Sequence, residues 1–204
     1  MIASRLSTLF LTAVIPFALL ACEQNDAPAR SGQVVSVGEA QIGGPWELID
    51  QNGQTRTDQD FLGKPQLIYF GFAFCPDVCP VSLGRMGAIA QKIDPTGEKL
   101  NYLFITVDPE RDTQEVMQAY VTNNGFAPGL VGLTGSREAS EAAQNAFKVY
   151  AVKREDDGSA ADYLYDHTDF IYVLDATGKY FNIIKPGDTI DAAAATIRTG
   201  LNIK

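Results

Sequence analysis

The chain has 204 residues, 25 acidic against 16 basic side chains and a formal charge of -9, with 46% hydrophobic and 20% charged residues. That balance excludes collagen-like, repeat-only and wholly disordered chains. No stretch is basic enough to serve as a nucleic-acid face, which phosphate contacts require. With three cysteines and one histidine, any soft-metal or nucleophile chemistry draws on very few side chains.

Residues 1–21 carry one charge, Arg5, followed by an apolar run over 9–21 interrupted only by Thr12. A spanning helix needs about 20 apolar residues, whereas a shorter run closing on small residues is the pattern of an export signal. Residues 19–22 (LLAC) resemble a bacterial lipobox, in which the cysteine is lipidated and becomes the new first residue. Cys22 is therefore the expected lipidation site; a short uncleaved anchor and a plain structural thiol are the alternatives. Residues 22–40 hold Pro28, Ser31, Gly32 and Gly38 and no aromatic, which is linker composition. The expected organisation is a lipoprotein-type signal peptide over 1–21, a lipidated cysteine and flexible tether over 22–40, and one domain over 41–204. The domain then sits in the bacterial cell envelope, held to the membrane by its lipid on the periplasmic side.

Along the domain, Trp46, Leu48 and the Asn52-Gly53 pair predict a short hairpin, because Asn-Gly supplies the positive backbone angles of a tight turn. Residues 66–72 (QLIYFGF) form a near-continuous apolar run, as in a strand covered on both faces. Leu83, Met86, Ala90 and Ile93 then recur at helical spacing, and the helix stops near 94–97 (DPTG). Residues 100–107 (LNYLFITV) read as a second buried strand, and Asp112 with Glu115 resembles a capping pair that opens a helix to about Asn123. A short strand over 130–133 and an alanine-rich helix over 138–147 follow. Strands over 169–174 and 180–184 flank a turn at 176–179, and a helix over 188–199 ends the domain. Alternating strands and helices that finish in a hairpin and a helix predict an α/β fold: a thioredoxin-like sandwich with a central mixed sheet, flanking helices and an N-terminal hairpin.

The segment 74–80 (FCPDVCP) stands where a buried strand gives way to a helix. Pro76 suits the first helical position, which places Cys75 at the helix start and Cys79 one turn later on the same side. The free amides and dipole of a helix start favour thiolates. The C-x-x-x-C spacing leaves three readings open: a shared metal, redox exchange, and a structural bridge, whose small loop removes little unfolded-state entropy. His167 lies just before a predicted strand. In a thioredoxin-like sheet the loop entering the terminal hairpin can lie beside the start of the long helix, which would bring His167 to the cysteines. Two thiolates and an imidazole suit Cu(I), Cu(II) could add oxygen ligands, and zinc is chemically allowed. Asp166 and Asp169 are candidates to orient the imidazole, or simply turn residues.

The chain resembles the Sco/SenC family of copper-binding, thioredoxin-fold proteins that assist cytochrome c oxidase assembly. The resemblance runs through 43–50 (GGPWELID), 67–80 (LIYFGFAFCPDVCP), 104–113 (FITVDPERDT), 132–135 (GLTG) and 162–175 (DYLYDHTDFIYVLD). CPDVCP together with the distant DH is more specific than either alone. The resemblance implies copper, as Cu(I) or Cu(II), held by Cys75, Cys79 and His167. It also implies a partner, cytochrome c oxidase subunit II or another copper-receiving protein, whose dinuclear copper site is loaded or prepared, and leaves room for a copper donor or a thiol reductase upstream. Ala73 and Thr168 replace the threonine and serine expected beside the motifs. Asp77 could tune the site or simply favour the helix start. Asp108 and Arg111 read as fixing a turn in preference to contacting a partner. The competing function is a thiol-disulfide reductase that needs Cys75 and Cys79 but not His167. A thiol peroxidase ranks last, because Phe72 stands where the threonine three residues before a peroxidatic cysteine belongs.

Overall fold

The computed structural model describes residues 41–155 and 162–203. The expected signal peptide, Cys22 and the tether lie outside the described residues. β1 (Glu47–Asp50) and β2 (Thr55–Thr57) pair antiparallel as the expected front hairpin, with Ile49 opposite Thr55. Gly53 takes φ +80°, and the Asp50 carboxylate accepts from the amides of Asn52 at 2.8 Å and Gln54 at 3.0 Å. The turn is thus set by the positive angle that glycine tolerates and by an acid that satisfies its amides.

β3 (Gln66–Gly71), α1 (Val78–Ile93), β4 (Asn101–Thr106), α2 (Gln114–Val121), β5 (Val131–Thr134) and α3 (Arg137–Phe147) follow in alternation. β8 (Ile171–Leu174), β9 (Tyr180–Ile184) and α4 (Ile190–Gly200) close the chain. The main sheet runs β2-β1-β5-β4-β3-β8-β9. β3 pairs parallel with β4, Tyr69 beside Phe104, and antiparallel with β8. Every residue of β3 is buried, which is why its sequence is apolar throughout instead of alternating. Side chains of β3 alternate between two helical layers. Phe70 packs on Phe147 of α3, with ring centroids 5.3 Å apart. Gly71 points the other way, toward Cys79 of α1. On that second layer α1 and α4 are tied by Lys92 to Asp191 at 2.8 Å and by Arg198 donating to the Lys92 carbonyl at 2.5 Å. This mixed sheet between helical layers is the thioredoxin-like α/β architecture the sequence predicts.

Three local expectations are corrected. A second, two-stranded sheet pairs β6 (Ala151–Glu155) with β7 (Tyr163–His167). No strand was expected at 151–155 because the segment AVKRE is almost wholly exposed and carries no apolar alternation to read. The helix opened near 112 is capped by Thr113, whose hydroxyl accepts from the Val116 amide, while Asp112 is fully buried elsewhere. α1 begins at Val78 with Asp77 as its N-cap residue, two residues later than Pro76 implied.

Candidate metal centre

Where β3 ends, the Val107 amide donates to the Gly71 carbonyl at 2.8 Å, and the chain turns as the Cys75 amide bonds the Phe72 carbonyl at 3.2 Å. Cys75 therefore lies in the loop before α1, and Cys79 in its first turn. The Asp77 side chain makes no cap bond; the amide of Cys79 instead points at Cys75 Sγ, 3.4 Å away. A sulfur thus occupies the place of an N-cap oxygen, over the positive end of the helix. Pro80, in the same first turn, lacks a donor at a position where none is needed.

His167 closes β7, so it stands on a strand of the small sheet and not in the connecting loop the sequence suggested. Its Nε2 is 3.3 Å from Cys79 Sγ. Its Nδ1 is 3.1 Å from the Thr168 carbonyl, which fits the tautomer protonated at Nδ1 with the Nε2 lone pair turned to the sulfurs. The rings of Tyr69 and Phe72 flank the imidazole, at interplanar angles of 76° and 84°. The donor atoms of Cys75, Cys79 and His167 all lie within 4.8 Å of one another. The three residues singled out from sequence are thereby brought together.

The acids suggested as imidazole partners serve otherwise. Asp166 pairs with Arg154 at 2.7 Å on the outward side of the ribbon. Asp169 accepts from the Tyr69 hydroxyl at 2.9 Å and from Ser82 at 2.7 Å, bracing the wall behind Cys79. A main-chain carbonyl of the neighbouring residue orients the ring instead. Asp108 and Arg111 hold the ribbon: Arg111 Nε donates to Asp108 at 2.5 Å, its Nη1 donates to the Tyr163 carbonyl at 3.0 Å, and the Tyr163 hydroxyl donates to Asp108 at 3.0 Å. The structural role expected for that pair is the one observed. Thr168 also ties the ribbon, its hydroxyl accepting from the Tyr150 amide at 3.0 Å.

Both cysteines are free thiols, but they are electrostatically unequal. The hydrogen bond from the Cys79 side chain, helped by the Asp77 and Cys79 amides, outweighs burial and draws the Cys75 thiol down to about 4. Burial, followed by the neighbouring Cys75 sulfur, pushes Cys79 well above the ordinary thiol range. The sequence-based expectation that the helix start favours two thiolates is thus corrected: the pair shares one proton, with the negative charge on the outer sulfur. Cys75 keeps 9% of its surface exposed and Cys79 none. Phe74, next to Cys75 in the chain, and Val78 and Val81, at the start of α1, stand exposed at 49%, 41% and 57%, giving this end of the helix an apolar surface.

Sequence reading passed over Gly71. A Cβ on it would lie 2.7 Å from Cys79 Sγ and 3.0 Å from the Tyr69 ring, so the bare backbone makes room for the inner sulfur. A glycine inside an apolar strand is the signal that could have found it.

A family model described as SCO1/SenC matches residues 35–202. Among relatives, the human "Protein SCO1 homolog, mitochondrial" is 40% identical over 168 residues, covering 80% of this chain and 54% of its own. The "SCO2-like protein" of Rickettsia felis is 38% identical over 164 residues, 80% of this chain and 79% of its own. The match thus spans about half the length of the human relative and four-fifths of the rickettsial one. Among solved structures, Bradyrhizobium japonicum ScoI with copper bound is 39% identical with a TM-score of 0.69, over 78% of this chain and 98% of that one. Yeast Sco1 with copper bound is 32% identical with a TM-score of 0.72, over 80% and 90%.

Proposed function

The chain belongs to the SCO1/SenC family, and from that premise we propose that it is a copper chaperone that binds one copper through Cys75 Sγ, Cys79 Sγ and His167 Nε2 and serves cytochrome c oxidase assembly. The observation that carries the reading is the convergence of two sulfurs and an imidazole within 4.8 Å of one another. Such a donor set is soft and low in coordination number, which selects Cu(I), while Cu(II) recruits an added oxygen ligand. The pair's remaining proton, held on Cys79, leaves when the metal enters, since a thiol ligates as its thiolate. The Thr168 carbonyl keeps the imidazole in the tautomer that presents Nε2. The client we infer is subunit II of the oxidase, at its dinuclear copper site, approached by the apolar surface of Phe74, Val78 and Val81. The lipobox-like segment ending in Cys22 supports a membrane-tethered protein on the periplasmic side.

Titration of the reduced protein with Cu(I) is expected to saturate at one copper per chain, and His167→Ala to weaken binding and remove the nitrogen from the metal's ligand spectrum. A protein that takes up no copper, or a His167→Ala variant with unchanged affinity and spectrum, would overturn the reading.

A second reading, a thiol-disulfide reductase for the client's cysteines, is favoured by the inequality of the two thiols. Cys75 would attack a client disulfide as the outer thiolate, the one of the two with any exposed surface. Cys79 would then resolve the mixed disulfide, so that two thiols deliver two electrons and two protons and end as one disulfide. Iodoacetamide is expected to alkylate Cys75 of the copper-free protein first, at a rate nearly flat between pH 6 and pH 8 because its thiolate is already formed near about 4. A rate that climbs about tenfold per pH unit over that range, as for an ordinary thiol of pKa about 8.5, would remove this support.

A further inference from the structure

The Asp112 carboxylate is bonded to the turn that carries Cys75. It is fully buried, 0% exposed, in the loop between β4 and α2. Its Oδ2 accepts from the Ala73 amide at 2.9 Å and from the Thr106 hydroxyl at 2.6 Å. Its Oδ1 is buried and meets no hydrogen-bond donor among the described residues. Its own main chain is held on both sides, the amide on the Asp108 carbonyl at 3.0 Å and the carbonyl by the Thr134 hydroxyl at 2.7 Å. Burying a carboxyl with one oxygen unpaired is costly, and burial accordingly moves the group up to about 6, against the pull of Thr106 and Ala73. A stable core gains nothing from such a group over an apolar one, which directs attention to what the carboxyl holds.

It holds the first donor left over when the β3–β4 ladder ends. The last bond of that ladder is to the Gly71 carbonyl, and the next anchor is the Cys75 amide on the Phe72 carbonyl. Between them the Ala73 amide has Asp112 as its partner. Two residues later comes Cys75, whose sulfur must meet Cys79 on a rigid helix and His167 on a separate ribbon. The helix and the ribbon have their own braces; the 72–75 turn has this carboxyl.

We propose that Asp112 is a positioning residue for Cys75, fixing the turn that sets the outer sulfur against Cys79 and His167. The inference deepens the copper-site reading and rests on it for its metal readout, but its thiol readout is independent of metal. Three groups on the facing elements carry the bond: the Ala73 amide, the Thr106 hydroxyl and, through the Asp112 main chain, Thr134. Without the acceptor, the Ala73 amide must find water, the turn loosens, and Cys75 Sγ loses its fixed distance to its partners.

The test compares Asp112→Ala with Asp112→Asn in the full chain. Two quantities are read: Cu(I) affinity against a competing chelator, and the dithiol/disulfide equilibrium of Cys75 and Cys79 in a glutathione buffer without metal. Asp112→Ala is expected to weaken copper about 10–100-fold, the usual effect of losing an outer-shell partner, and to shift the dithiol equilibrium about tenfold. Asp112→Asn keeps an oxygen for the Ala73 amide and is expected to stay within about threefold of wild type, since one net hydrogen bond is retained. Should Asp112→Ala not fold, Asp112→Glu replaces it: one added methylene displaces the acceptor while the charge remains, and the same two shifts are expected. Wild-type values of both quantities in the folded Ala or Glu variant, whatever the change in Tm, would overturn the proposal, as would an Asn variant no better than Ala. If the wild-type chain takes up no copper, the copper reading falls, and the glutathione equilibrium alone decides for or against Asp112.

Discussion

Cys75→Ser and Cys79→Ser are each expected to lower copper affinity by roughly 10²–10⁴-fold. The estimate divides a metal-site binding free energy of about 10–16 kcal/mol among the donors, so that one donor is worth about 3–5 kcal/mol. A hydroxyl does not replace it, because a neutral alcohol is a hard, weak ligand for Cu(I). Nor is there a spare: the chain has three cysteines and one histidine in all, and Cys22 lies in the sequence 53 residues before Cys75, ahead of the domain. The two variants should differ in their side effects. Cys75 is buried but keeps 9% of its surface exposed and lies in a loop, so its replacement is expected to disturb the fold less. Cys79 is wholly buried, and a hydroxyl in its place costs about 1–3 kcal/mol of stability if it finds no partner as good as His167. Chelator competition on the reduced proteins, with melting curves of the copper-free forms, separates the two effects. Affinity retained within about threefold in either folded variant would show that the sulfur concerned is not a ligand.

Gly71→Ala is expected to damage the site from behind, with no ligand changed. The added methyl would stand 2.7 Å from Cys79 Sγ, 3.0 Å from Tyr69 Cε1 and 3.2 Å from Phe104 Cε2. All three neighbours are buried, with Cys79 on a helix held by α4 and Tyr69 hydrogen-bonded to Asp169. Overpacking of this kind costs about 1–3 kcal/mol. Tyr69 is pinned by its bond to Asp169, so relief of the clash displaces Cys79 Sγ relative to His167 Nε2, now 3.3 Å away. A fall of about 10-fold or more in copper affinity should therefore accompany a lowered Tm, on the scale of about 1.4 kcal/mol per decade. Thermal melts and the same chelator competition read both numbers. A variant that loses stability and binds copper as tightly as wild type would show that the sulfur does not need the space the glycine leaves.

The elements legible in the sequence are those whose own residues state their burial. The run QLIYFGF announces a strand covered on both faces, and β3 is buried along its whole length. The spacing of Leu83, Met86, Ala90 and Ile93 announces the buried side of α1, and all four are buried. The Asn-Gly turn carries its geometry locally, in the positive φ of Gly53. The cysteine loop and the histidine were legible for another reason: few residue types can do this chemistry, and the chain contains so few of them that their positions stand out.

What escaped the sequence depends on partners far along the chain. β6 is exposed at four of its five positions and exists as a strand because it pairs with β7, Ala151 opposite His167. Asp112 and Thr113 are adjacent acceptors, either able to cap a helix; Thr113 took that role because Asp112 was claimed by the Ala73 amide 39 residues earlier. By itself, then, the sequence determined the thioredoxin-like order of elements and the small set of side chains able to hold a soft metal. Local period and residue chemistry are properties of neighbouring residues. Only the tertiary structure decided that His167, 88 residues from Cys79, comes within 3.3 Å of it. It likewise decided that a carbonyl and not a carboxylate turns the imidazole, and that one of two chemically identical thiols carries the charge. Those outcomes depend on which groups are packed together and which lose their water, and both are settled only when distant segments meet.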